Sequence, residues 1–159
     1  VLALAHAHPE HRYLAMDRSV AAVRTARQNA RQLGLDRHID WFCADWETAL
    51  SAGRARFDLI VSNPPYVRRG DIDGLQPEVR LHEPRLALDG SGDGLDCLRR
   101  IVLSAHRYLA SGGWLAVEMG CDQAGDVQAM VAETGRYGAF RVIKDYSGLD
   151  RIAVVTKAP

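Results

Sequence analysis

Two consecutive prolines, Pro64 and Pro65, follow the apolar run Phe57-Asp58-Leu59-Ile60-Val61-Ser62 and precede Tyr66. Neither a helix nor a central strand continues through such a pair, because each proline fixes its own φ and removes a backbone donor. Pro64 also drives Asn63 toward an extended backbone. The apolar run therefore reads as a short strand that stops at Asn63, with a stiff turn after it. That turn offers carbonyl acceptors without competing N–H donors. An asparagine at its entrance and an aromatic ring at its exit suit it to hold a planar –NH2 group. A Pro-Pro turn that serves only the fold is the plainer reading of the same residues.

Other short apolar runs bracket this one. Tyr13-Leu14-Ala15-Met16 reads as a strand ending at Asp17. Ser19 then suits the N-cap of a helix in which Val20, Val23, Ala30 and Leu33 recur at helical spacing and which Gly34 stops. His38 to Cys43 reads as a second strand ending at Asp45-Trp46. Residues 68–93 are polar and rich in Gly and Pro, the composition of a long functional loop. Leu95, Leu98, Ile101, Val102, Ala105 and Leu109 predict an amphipathic helix closed by Ser111-Gly112-Gly113. Trp114–Met119 follows as a strand and residues 122–133 as a helix. Two closing strands, Phe140–Ile143 and Ile152–Thr156, are joined by a loop too short for a parallel crossover, so they pair antiparallel. Strands alternating with helices predict an α/β domain with a mostly parallel sheet and an antiparallel C-terminal pair, spanning residues 1–159 as one domain. Val1 to Ala7 reads as the end of a helix that began earlier, in a chain cut from a longer one.

Composition narrows the partners. Lys+Arg and Asp+Glu number 20 each, so the net charge is zero and gives no electrostatic reason to expect a nucleic-acid partner. The three cysteines, Cys43, Cys97 and Cys121, form no CxxC pair, which points to reduced thiols in the cytoplasm. No apolar run approaches membrane-spanning length, and no signal peptide is expected. His6, His8 and His11 alternate faces, and no cysteine or carboxylate is expected to complete a ligand set, so no metal is predicted. Cys43, inside a strand, is expected to be buried. His82 and His106 have no Ser or Cys partner at a recognisable spacing, so no nucleophilic triad is expected.

The polar groups Asp17, Asp45-Trp46 and Asn63 fall at the ends of successive strands, the edge where open α/β sheets bind ligands. Asp17 suits either the acceptance of two ribose hydroxyls or the capping of the following helix. Asp45 suits acceptance from an adenine amino group beside the flat face of Trp46, or else is a surface aspartate next to a core tryptophan. Asp93 and Asp96 are read as starting a helix.

Taken in order, Asp17-Arg18-Ser19, Gln28-Asn29-Ala30, Asp45-Trp46, the stretch from Phe57 through Asn63-Pro64-Pro65-Tyr66 to Val67, Glu83-Pro84-Arg85-Leu86-Ala87-Leu88, Asp93-Gly94-Leu95-Asp96, Gly112-Gly113, Glu118-Met119-Gly120 and Gly148-Leu149-Asp150-Arg151 resemble the HemK/PrmC-type protein-glutamine methyltransferases, the release factor methyltransferases. The resemblance runs over nearly the whole chain. Asn-Pro-Pro-Tyr alone is shared with adenine and guanine amino methyltransferases, and its combination with the later segments is more specific. The resemblance implies a class I S-adenosylmethionine-dependent, Rossmann-like fold. It implies methyl transfer from S-adenosyl-L-methionine to the side-chain amide nitrogen of the glutamine in the Gly-Gly-Gln loop of peptide chain release factors. Asp17 would then bind the cofactor ribose, and Asp45 and Trp46 would surround the adenine. Asn63 would lie between cofactor and substrate, and Asn63, Pro64, Pro65 and Tyr66 would hold the glutamine amide and carry catalysis. A cytoplasmic enzyme of translation termination is implied, with no membrane partner. The family's glycine-rich loop, its first strand and the helical domain before them have no counterpart here, so the chain reads as a fragment of an active enzyme. The competing readings are a nucleic-acid amino methyltransferase with the same turn and a non-catalytic Rossmann-like fragment.

Overall fold

The computed structural model describes residues 1–46, 50 and 57–159. By its internal contacts the chain divides into two compact units, Val1–Ser51 and Ala52–Pro159.

In the first unit, α1 (Leu2–Ala7) leads to β1 (Tyr13–Asp17), α2 (Val20–Gln32), a single 3-10 turn at Asp36–His38 and β2 (Ile39–Cys43). The strands pair in parallel, with Tyr13 beside Ile39 and Asp17 beside Cys43. Ser19 caps α2 as its sequence position predicts: its Oγ accepts from the Ala22 N–H at 3.2 Å. The helix gives way at Leu33-Gly34, where Gly34 takes φ +72°, a conformation open to glycine at little strain. Ala5, Ala30, Leu35 and Ile39 are buried together, with Leu2, Tyr13, Ala15 and Trp41 packed against them. Cys43 is exposed rather than buried. It ends its strand, and its thiol lies 3.6 Å from the Arg18 carbonyl, on which it can donate.

The second unit holds β3 (Phe57–Ser62), α3 (Pro77–His82), α4 (Arg85–Leu88), α5 (Asp96–Ala105), β4 (Leu109–Glu118), α6 (Ala124–Thr134), β5 (Tyr137–Lys144) and β6 (Asp150–Lys157). Its four strands lie in the order β3-β4-β6-β5. β3 and β4 are parallel, and β6 runs antiparallel to both β4 and β5. The closing pair is thus antiparallel as its short connection requires. β6 returns from that hairpin into the place between β4 and β5. Leu98, Val102, Leu109, Leu115, Val117, Met119, Val127 and Val155 are fully buried.

Two local expectations change. The loop at 68–93 carries its own structure: a 3-10 segment at Arg69–Gly74 and the short helices α3 and α4. Ser111-Gly112-Gly113 does not close a helix, because α5 already stops at Ala105 and Leu109 starts β4. Leu109 keeps the helical spacing from Ala105, which is why the pattern reads through. In the ladder Leu109 pairs with Phe57 and Trp114 with Leu59, so the intervening β4 residues form an irregularity in register. The glycines make it possible: Gly112 takes φ +72°, and a Cβ on Gly113 would stand 2.9 Å from the Phe57 carbonyl oxygen. Among the described residues no helix is long and apolar enough to cross a membrane.

Candidate active site

β3 delivers the Asn-Pro-Pro-Tyr turn to the carboxyl edge of its sheet. There Val61, Ser62 and Asn63 line a small open pocket together with Ala116 and Glu118 of β4 and Ile152 of β6. Pro64 is buried and anchors the turn, while Asn63 is exposed. Among the described residues the Asn63 side-chain amide has no hydrogen-bond partner. The Tyr66 hydroxyl donates to Glu118 Oε1 at 2.8 Å. Burial, and then that bond to the carboxylate, raise the Tyr66 phenol above its ordinary range and keep it a donor.

The turn is held from behind by Gln123, which the sequence did not single out, and by segments that it did. Gln123, buried at the start of α6, donates from Nε2 to the Tyr66 carbonyl at 3.0 Å and to the Gly94 carbonyl at 3.3 Å. Its Oε1 accepts from the Gly120 N–H at 2.8 Å. Gly94 takes φ +77°, and a Cβ there would stand 2.6 Å from the Tyr66 carbonyl oxygen. The 68–93 segment continues the clamp: Val67 N–H donates to the Leu88 carbonyl, and Gly90 N–H donates to the Val67 carbonyl. Asp93 Oδ1 accepts from the Leu95 N–H, and Arg99 pairs with both Asp93 and Asp96 at 3.3 Å, so Asp96 is the first residue of α5 and Asp93 holds the turn just before it. Arg151 donates to Asp145 Oδ2 at 3.1 Å and to the Met119 carbonyl at 3.3 Å, tying the hairpin loop to the end of β4. Gln123 has no sequence signature, because a buried glutamine is recognisable only by what surrounds it. Glu118 ends a strand, the one hint that it faces the ligand edge.

In the first unit Asp17 and Asp45-Trp46 follow neighbouring strand ends, since Asp17 pairs with Cys43. Asp17 Oδ1 accepts from the Ser19 N–H at 2.7 Å, which is the capping role. Its other carboxylate oxygen has no partner among the described residues and is open to a ligand. Trp46 is half-buried and takes φ +49°, an uncommon conformation for a bulky residue and one often found at functional sites. A carboxylate acceptor and an aromatic ring thus follow neighbouring strand ends at one sheet edge, groups whose chemistry suits a ribosyl-adenine ligand. His82 is exposed, and His106 packs edge-on against Tyr137 with centroids 6.1 Å apart. A carboxylate does join the N-terminal histidines, contrary to expectation: Glu10 lies 3.5 Å from both His8 and His11, because the turn at Pro9 folds the three side chains together.

A family model described as RMKL-like, methyltransferase domain, matches residues 3–75. The chain is 43% identical to the release factor glutamine methyltransferase of Caulobacter vibrioides over all of its own length and 54% of that protein. It is 40% identical to the protein of the same name from Gloeobacter violaceus over 96% of its length and 53% of that protein. The chain spans about half the length of these curated relatives. Its fold matches a crystal structure of a methyltransferase from Pyrococcus furiosus with a TM-score of 0.67 at 15% identity, covering 98% of this chain and 66% of that one. The architecture is therefore that of class I S-adenosylmethionine-dependent methyltransferases. Over nearly all of its length, and about half of theirs, the chain is a homologue of the release factor glutamine methyltransferases.

Proposed function

We propose that this chain forms part of an S-adenosylmethionine-dependent protein-glutamine N-methyltransferase that modifies the Gly-Gly-Gln glutamine of peptide chain release factors. The observation that carries the reading is an asparagine amide with no partner among the described residues, set on a rigid Pro-Pro turn at the mouth of a pocket. The names of the relatives supply the substrate class.

An amide nitrogen is a poor nucleophile, because its lone pair is delocalised into the carbonyl. Asn63 Oδ1 and the Pro64 carbonyl accept its two N–H bonds and set the direction in which that lone pair points. Tyr66 packs on the amide plane, its ring fixed through the hydroxyl bond to Glu118. S-adenosylmethionine supplies a methyl group already activated by its sulfonium. The protein's part is therefore positioning for in-line attack, and the same acceptors stabilise positive charge growing on nitrogen. No general base is required, since the methylated nitrogen loses its proton readily. Asp17, through its open oxygen, would hold the ribose hydroxyls, with Asp45 and Trp46 at the adenine.

Asn63→Ala is expected to lower methyl transfer to a release factor by about 10²–10³-fold, the effect of removing one well-placed polar group. Binding of S-adenosylhomocysteine should be retained. Asp17→Ala is expected to weaken that binding by about 1.5–3 kcal/mol, the worth of hydrogen bonds to a charged group. Asp17→Asn keeps an acceptor for the Ser19 N–H and separates the ribose role from the cap. Near-normal methylation by Asn63→Ala would overturn the assignment. Strongly salt-dependent binding of RNA or DNA would replace it with a nucleic-acid substrate.

A further inference from the structure

His8, Pro9, Glu10 and His11 form the turn that links α1 to β1. Glu10 Oε1 lies 3.5 Å from His8 Nδ1 and 3.5 Å from His11 Nε2. One ligand atom from each of the three residues lies within 4.8 Å of the other two. The imidazole rings stand 5.9 Å apart, tilted by 36°. In a tetrahedral zinc site with bonds of about 2.0–2.1 Å, neighbouring ligand atoms lie about 3.3 Å apart, so both His–Glu separations are already near their bound values.

The backbone beneath the cluster is held in place. The Tyr13 hydroxyl lies 2.8 Å from the His8 carbonyl oxygen and 3.0 Å from the Leu4 carbonyl oxygen, with its one proton shared between them. His11 N–H donates to the His8 carbonyl at 3.3 Å, and Pro9 fixes φ between them. The side chains are more than half exposed, at 58%, 62% and 66% for His8, Glu10 and His11, so a bound ion keeps water in its remaining positions. Two imidazoles and one carboxylate suit borderline ions such as Zn²⁺, Ni²⁺ and Co²⁺, whereas Mg²⁺ and Ca²⁺ prefer oxygen alone. As ion pairs only, groups this exposed contribute little to stability.

We propose that His8, Glu10 and His11 form a site for a divalent transition-metal ion, with water completing the coordination. The site is independent of the methyltransferase reading and is tested without any activity assay. Calorimetric titration of the chain with Zn²⁺ should give one equivalent bound, with a Kd on the order of 10 µM, and Mg²⁺ should give no heat. Co²⁺ should produce visible d–d bands without a thiolate charge-transfer band. His8→Ala, Glu10→Gln and His11→Ala should each weaken Zn²⁺ binding by about tenfold or more, while His6→Ala leaves it unchanged. All four side chains are exposed, so circular dichroism of each variant should match the parent. Absence of zinc binding, full retention of it in the three variants, or a thiolate band that assigns the metal to Cys43 or Cys121 would overturn the proposal.

Discussion

Gly94 shows how a single missing Cβ shapes the site. An added methyl group would stand 2.6 Å from the Tyr66 carbonyl oxygen and 2.8 Å from Gln123 Nε2, on a backbone with φ +77°. Gly94→Ala is expected to destabilise the fold by about 1–3 kcal/mol, from left-handed strain and the clash together. Gly92→Ala, where nothing lies within 4 Å of the added Cβ, should be close to neutral. Denaturant unfolding of the two variants side by side checks this. The residue-level reading of the sequence reached the turn itself, because proline restrictions are local and need no partner. Glu118 stands in the sequence without a role, because its bond to Tyr66 spans 52 positions of chain. The expectation that no carboxylate would join His8 and His11 fails because α1 ends at Ala7 and residues 8–11 form a turn, to which helical faces do not apply.

At the scale of elements, α6 does more than cover the sheet. Its first turn brings Gln123 into contact with three backbone groups, the Gly120 N–H and the carbonyls of Tyr66 and Gly94. Gln123→Leu is expected to lower stability by about 1–3 kcal/mol, the penalty for buried groups left unpaired. Gln123→Glu keeps the acceptor for Gly120 but sets a buried carboxylate oxygen against the two carbonyl oxygens, and should cost at least as much as the leucine at neutral pH. Thermal unfolding of the pair would show it. Most elements were legible because their signals are short-range: Ser19 at an N-cap, Gly34 at a stop, alternating runs at the strands. The junction of α5 and β4 was not, since Leu109 satisfies helical spacing while its actual partner is Phe57 across the sheet. The short helices α3 and α4 carry too few turns for periodicity to register.

At the scale of the whole molecule, alternating strands and helices announced the class, and the short last connection announced the antiparallel ending. What they did not announce is that β6 would run antiparallel to β4 as well, with Leu115 beside Val155 and Val117 beside Ala153 in the ladder. Two buried or half-buried groups set a pH window for the second unit. Burial raises Tyr137 from 10.0 to about 12, so its contribution is complete below pH 10 and is lost as pH rises toward 12. Burial, and then nearby cations, depress His106 below 6.5, so its contribution is present above that value and is lost as pH falls. Stability should therefore be flat between about pH 6.5 and 10 on account of these two groups and decline on either side. Urea midpoints measured across that range check it, and Tyr137→Phe should flatten the alkaline limb.

The Gln123 bonds to Tyr66 and Gly94 close stretches of 57 and 29 residues. Closing such long loops is entropically slow relative to forming a helix or a turn. During synthesis the Asn-Pro-Pro-Tyr segment leaves the ribosome well before Gln123 does. Its prolines give it local shape from the start, but it acquires its rear support only when the beginning of α6 arrives. The most rigid local element of this site thus becomes a finished grip late in the molecule's assembly, after much of the chain that it serves has already been made.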